Sequence, residues 1–159
     1  ADMKYLCATA AIPMASTIVK VEGYKLMDGG ASDSIPIEYS LAKGNAKNII
    51  VLTRCEGFRH QKSRLSWFPY LRYPAHRAFA HTVATRWQYY NKSIEIAQQQ
   101  ERAGNALIIR PTKPIIAGRM EKDPAKLSAQ YQVGYNDAMA MRDKLLAFAD
   151  GLENVELRK

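Results

Sequence analysis

Apolar and polar positions along the chain follow two periods, and each change of period marks an element. Thr17-Ile18-Val19-Lys20-Val21-Glu22 is β-branched and partly alternating, which predicts a strand. Glu22-Gly23-Tyr24 reads as a tight turn into a second short strand, Tyr24 to Met27, so the pair predicts a hairpin that delivers Asp28 to a Gly29-Gly30 loop. Residues 1–15 are rich in small side chains with no clear period and read as a loop or a short helix. Ser32, Asp33 and Ser34 are N-cap candidates and Pro36 suits a first helical turn; together they predict a short helix to about Lys43, ended by Gly44. Asn48 to Thr53 is almost wholly apolar, the pattern of a strand buried on both faces of a parallel sheet.

Glu56 to Pro74 reads as irregular, with Gly57, Pro69 and Pro74 as breakers. From Ala75 the period turns helical. Phe79, Val83, Trp87, Tyr90, Ile94 and Ala97 fall along one face, and Tyr90-Asn91 is where a break would come. Gly104 closes this helix. Ala106-Leu107-Ile108-Ile109 predicts another buried strand, after which Arg110 solvates the strand edge beside Pro111. A last helix starts with Asp123 as N-cap and Pro124 in first position. Leu127, Tyr131, Gly134, Ala138, Met141, Leu145 and Phe148 share one face, and Asn154 to Lys159 read as frayed. Met120, Met139 and Met141 read as core filler. The order of elements predicts an α/β fold with a mostly parallel sheet. Because only two strongly apolar strands stand out, the sheet is expected to be incomplete in this chain.

Composition narrows the class without naming a function. The 159 residues (17.9 kDa) suit one domain or a large piece of one, and 47% hydrophobic with 24% charged residues exclude wholesale disorder. No apolar run approaches the ~20 residues of a membrane-spanning helix. No secretory pattern opens the chain, and the missing initiator Met reads as processing or truncation. Cys7 and Cys55 are far apart and read as two small buried residues in a reducing compartment, with no zinc spacing. The net charge of +8 favours anionic partners.

The chemistry centres on Asp28. An Asp at a strand end followed by two glycines can face an open crevice, and glycines at 29 and 30 would allow positive φ and close approach of a ligand. From these three residues alone, an ordinary Asp-Gly turn is the simpler reading. The wider context is more specific. Cys7-Ala8-Thr9-Ala10-Ala11-Ile12-Pro13, Val19-Lys20-Val21-Glu22-Gly23-Tyr24, Asp28-Gly29-Gly30 and Ser34-Ile35-Pro36 follow in order. This set resembles the second half of the patatin catalytic domain. Ile50-Val51-Leu52-Thr53-Arg54 with Gly57-Phe58-Arg59, Ile109-Arg110-Pro111-Thr112-Lys113-Pro114, and Glu121-Lys122-Asp123-Pro124 are similar to one bacterial branch of that family.

The resemblance implies that residues 1–159 are the C-terminal part of a single patatin-like three-layer catalytic domain, with residues from about 115 onward as a helical extension. It implies hydrolysis of lipid acyl esters, such as phospholipids, by a Ser-Asp dyad that needs no cofactor and no metal. Asp28 would be the catalytic base and Gly29 and Gly30 would shape its loop, with Leu26 and Met27 offering an apolar wall. The chain departs from the family in having no Gly-x-Ser-x-Gly elbow. Ser16, Ser32, Ser34, Ser40, Ser63, Ser66, Ser93 and Ser128 all lie outside such a motif. The chain alone is therefore expected to be inactive, its partner being an upstream segment or chain that carries the nucleophile elbow.

His60, His76 and His81 lie close together in sequence, but nothing positions a serine near them, and His76 and His81 are off one helical face, so a triad or a metal site ranks low. Between Arg54 and Lys92, basic residues alternate with Trp67, Phe68, Tyr70, Tyr73, Phe79, Trp87, Tyr89 and Tyr90. A solvated basic face over an aromatic core accounts for this as well as an interfacial patch on an anionic membrane does. Nucleic acid ranks third, since no binding motif for it is present. The expected setting is cytoplasmic, peripheral at the membrane. The rival to the hydrolase is a non-catalytic basic module that docks on anionic membrane or nucleic acid.

Overall fold

The computed structural model describes residues 3–118 and 121–156, with side chains to residue 150. Met120 and residues 157–159 lie outside the described residues. The fold is mixed α/β: one antiparallel and one parallel pair of strands among the described residues, with helices making up most of the rest. Two compact units form, one from the residues up to Glu38 together with Arg59–Glu95, the other from Tyr39–Phe58 and the residues from Ile96 on.

In the first unit, α1 (Met3–Thr9) takes the segment read as loop or short helix. Cys7 on it is exposed and Cys55 is half-buried, both as free thiols, so the expectation of two buried cysteines does not hold. The hairpin forms as predicted, β1 (Val19–Val21) against β2 (Tyr24–Leu26), with Val21 opposite Tyr24. Its two loop residues both have positive φ, Glu22 at 50° and Gly23 at 82°. That is the primed turn whose twist matches the strands. The Tyr73 hydroxyl holds Met14, another residue of positive φ (76°), by accepting its N–H at 3.0 Å.

Pro69 does not break the chain. It sits in the first turn of α3 (Phe68–Arg72), where a missing N–H costs nothing, so a helix lies inside the segment read as irregular. α4 (Arg77–Arg102) runs unbroken through Tyr90-Asn91. Its predicted stripe faces inward: Tyr90, Ile94 and Ala97 are buried, and Phe79, Val83 and Trp87 half-buried.

α2 (Ile37–Ala42) starts just after Pro36, but the cap candidates Ser32 and Ser34 turn away from it, their hydroxyls donating back to the carbonyls of Gly29 and Gly30. In the second unit, Gly44 (φ 83°) and Gly104 (φ 72°) end α2 and α4 with the same double bond. Each glycine N–H and the N–H after it turn back onto the last helical turn: Gly44 to Leu41 and Asn45 to Ser40, Gly104 to Glu101 and Asn105 to Gln100.

β3 (Asn48–Val51) and β4 (Ala106–Ile109) pair in parallel, Asn48 opposite Ala106 through Val51 opposite Ile109. Ala106 and Ile108 are buried, as predicted for β4. β3 departs from expectation: Ile49 is 44% and Val51 70% exposed. An apolar run records what a strand needs to have covered, not whether these two side chains are covered. Arg110 does not solvate the strand edge either; its side chain is mostly buried and Nη2 lies 2.7 Å from Glu101 Oε2.

The last helical segment starts as predicted. Asp123 caps α5 (Pro124–Ala140) by accepting the Ala125 N–H at 2.9 Å. It is not one helix, however. The ladder stops at Met141 (φ −98°, ψ 0°) and α6 (Arg142–Glu156) follows, with no glycine or proline to mark the break. On the shared face of α5, Leu127 and Tyr131 are exposed; so is Met139, expected as core filler. Residues 154–156, expected to fray, lie within α6.

Candidate functional site

The hairpin hands the chain to Asp28 as the sequence predicts. The Asp28 N–H donates to the Ala11 carbonyl at 3.0 Å, which ties the strand end to the small-residue segment. The half-buried carboxylate turns over its own loop, Oδ1 accepting the Gly30 N–H at 2.7 Å, and caps the 3₁₀ turn Gly29–Ala31.

One of the two uses expected of the glycines, a positive φ, is not taken up. Neither Gly29 nor Gly30 has a positive φ. A Cβ on Gly30 would lie 3.1 Å from Asp28 Oδ1, while one on Gly29 would meet nothing within 4 Å. At Gly30 a side chain would thus be tight against the carboxylate, while the backbone conformation itself does not call for glycine.

Arg86, reached from α4, fixes the other side of the loop. Its Nε donates to the Gly30 carbonyl at 2.6 Å and to Ser34 Oγ at 3.2 Å, and Nη2 donates to Ser34 Oγ at 3.1 Å. Ser34 Oγ in turn donates to the same Gly30 carbonyl at 2.7 Å. One guanidinium thus holds the C=O of the residue whose N–H holds Asp28. In the sequence Arg86 is one more cation in the basic stretch, and nothing local marks it for this role.

Asp28 borders a cleft of about 570 Å³. Ile18, Met27 and Phe79 supply apolar wall; Lys25, His76 and Arg77 supply nitrogen donors. Met27 takes the wall position expected of it, and Leu26 is not among the lining residues. The start of α4 is the wall that the sequence did not disclose. Of the serines, Ser32 borders this cleft among the described residues, with its hydroxyl committed to the Gly29 carbonyl. The other two histidines are engaged elsewhere: His81 Nδ1 lies 3.0 Å from the Tyr70 hydroxyl, and the His60 ring meets Tyr90 edge-on at 4.4 Å. Among the described residues no group of three or more His, Cys, Asp or Glu side chains could hold a metal ion.

The basic and aromatic stretch divides in two. Tyr73 and Tyr90 are buried and Trp87 half-buried, as in an ordinary core. Leu65, Trp67, Phe68 and Leu71 are exposed, with Lys62, Arg64 and Arg72 exposed beside them in sequence. Among the described residues no helix is long and apolar enough to cross a membrane.

Residues 76–150 match the model of a family described as a domain of unknown function, DUF6363. The match begins at His76, on the cleft, and lies wholly downstream of Asp28. No curated protein and no solved structure matches the chain.

Proposed function

We propose that this chain is the C-terminal part of a patatin-like three-layer hydrolase domain that cleaves lipid acyl esters with a Ser-Asp dyad, the chain itself contributing Asp28. The observation that carries the reading is half-buried Asp28, bordering a partly apolar cleft on a loop pinned from both sides. The serine comes from an upstream segment or from another chain. Its hydroxyl proton passes to Asp28 as Oγ attacks the ester carbonyl, the alcohol leaves with that proton, and water then releases the acyl group. A base held by hydrogen bonds to its own loop keeps the geometry this transfer needs.

The exposed Leu65, Trp67, Phe68 and Leu71, set among cations, support a peripheral contact with an anionic membrane, which would bring a cytoplasmic enzyme to its substrate. The same patch is what favours the second reading, a binding module without catalysis.

Asp28→Asn in the intact protein separates the two. Asparagine still accepts the Gly30 N–H but takes no proton, so ester hydrolysis should fall by at least ~10³-fold while vesicle binding stays. Normal hydrolysis by this variant would rule out the dyad.

A further inference from the structure

Both tryptophans of the chain line one pocket. Trp67 stands at the start of α3 and is 55% exposed, while Trp87 comes from α4 and is half-buried. Tyr70 adds a third aromatic wall. An indole left open to water costs free energy, and a ligand that covers its face recovers it. The pocket holds about 330 Å³, room for one small ring with its substituents rather than a long acyl chain. It is separate from the Asp28 cleft, since no residue lines both.

His81 fixes the walls of this pocket. Its Nδ1 lies 3.0 Å from the Tyr70 hydroxyl, and its carbonyl accepts the Thr85 hydroxyl at 2.7 Å. Tyr70 of α3 is thereby tied to the turn of α4 that carries Thr85.

The polar groups narrow the ligand. Ser66, Thr85 and Gln88 are neutral hydrogen-bonding side chains, and Lys62 is the single charge. Among the described residues no carboxylate lines the pocket, and Lys62 makes no ion pair. Aromatic rings alone would suit a quaternary ammonium, but Lys62 repels one. A sugar ring fits the whole set. Its C–H face packs on indole, its hydroxyls meet short neutral donors and acceptors, and a carboxylate on the ring pairs with the ammonium.

We propose that this pocket binds the terminal uronic acid residue of a glycan, with Trp67 and Trp87 as platforms and Lys62 on the carboxylate. The site stands whether or not Asp28 serves as a base.

Titration of the intact protein with methyl β-D-glucuronide should shift the indole Nε1–H resonances of Trp67 and Trp87 to saturation. Methyl β-D-glucoside, the same ring without the carboxylate, should bind at least about tenfold more weakly. Lys62→Gln should bring the two affinities together. Trp67→Ala, which removes an exposed ring, should abolish the shift at Trp87. Lys20→Gln, outside the pocket, should keep the wild-type difference; an equal loss there would assign the effect to surface charge and overturn the site. The site also falls if no shift saturates, if the wild type binds both sugars equally, or if Lys62→Gln keeps the difference. Tighter saturation by adenosine monophosphate or by phosphocholine would overturn it too, giving the pocket to a nucleotide or to a lipid headgroup.

Discussion

Arg86 Nε lies 2.6 Å from the carbonyl oxygen of Gly30, across a sequence separation of 56. Gly30 gives its N–H to Asp28 and its carbonyl to Arg86, so the position of the carboxylate depends on a helix far along the chain. The planar guanidinium reaches Ser34 Oγ as well, which a single ammonium could not match in the same plane.

On the proposed dyad, Arg86→Gln should therefore lower kcat for ester hydrolysis about 10- to 100-fold with KM little changed, because the Asp28 carboxylate is displaced while the cleft remains. The charged hydrogen bonds lost also predict a stability decrease of about 2 kcal/mol in denaturant unfolding. Arg86→Lys should recover part of the rate. Wild-type kcat in Arg86→Gln would mean that the clamp does not govern Asp28.

The two glycines after Asp28 should respond differently to a methyl group. Gly30→Ala places Cβ 3.1 Å from Asp28 Oδ1, so the carboxylate must shift, whereas Gly29→Ala meets open space. The hydrolysis proposed for Asp28 should drop at least about tenfold further in Gly30→Ala than in Gly29→Ala. Equal activities would show that the carboxylate tolerates the displacement.

Asp137 on α5 carries a pH-dependent contact in the second unit. Its carboxylate accepts the Thr112 hydroxyl at 2.6 Å and the Thr112 N–H at 3.0 Å. The hydroxyl contributes most, the backbone N–H next, and together they hold the carboxyl below its ordinary range. A depressed carboxyl stabilises the fold fully above its unfolded-state value, near ~3.9, and loses that contribution as pH falls through the lower folded-state value. Thr112→Val removes the hydroxyl and keeps the N–H. The Asp137 carboxyl ¹³C titration should then move up toward the ordinary range, and an identical midpoint in the variant would show that the contact does not form in solution.

Several elements were legible in the chain because their causes are local. A two-residue turn with glycine at its second position sets the hairpin and hence where Asp28 falls. Gly44 and Gly104 end their helices through bonds made within six residues, and Asp123-Pro124 starts α5 by the same short-range logic. Six apolar positions at helical spacing were enough to orient α4. The ordered motifs around Asp28 supplied the functional expectation, and they did so without any knowledge of the cleft.

Other features are decided by what packs against what, and a one-dimensional pattern does not carry that. The apolar run of β3 reads as doubly buried, yet Ile49 and Val51 are exposed because covering a face takes a second element. The stripe on α5 has the right period, yet no residue of this helix is buried, and the helix stops at Met141 without a breaker in the sequence. Arg86 looked like one cation among many until the fold set it against Gly30. Local backbone preference follows from neighbouring residues, so the chain determined where its hairpin, caps and main helix lie; burial and charge pairing are sums over distant residues, so only the tertiary structure decided which side chains hold Asp28 and which line its cleft.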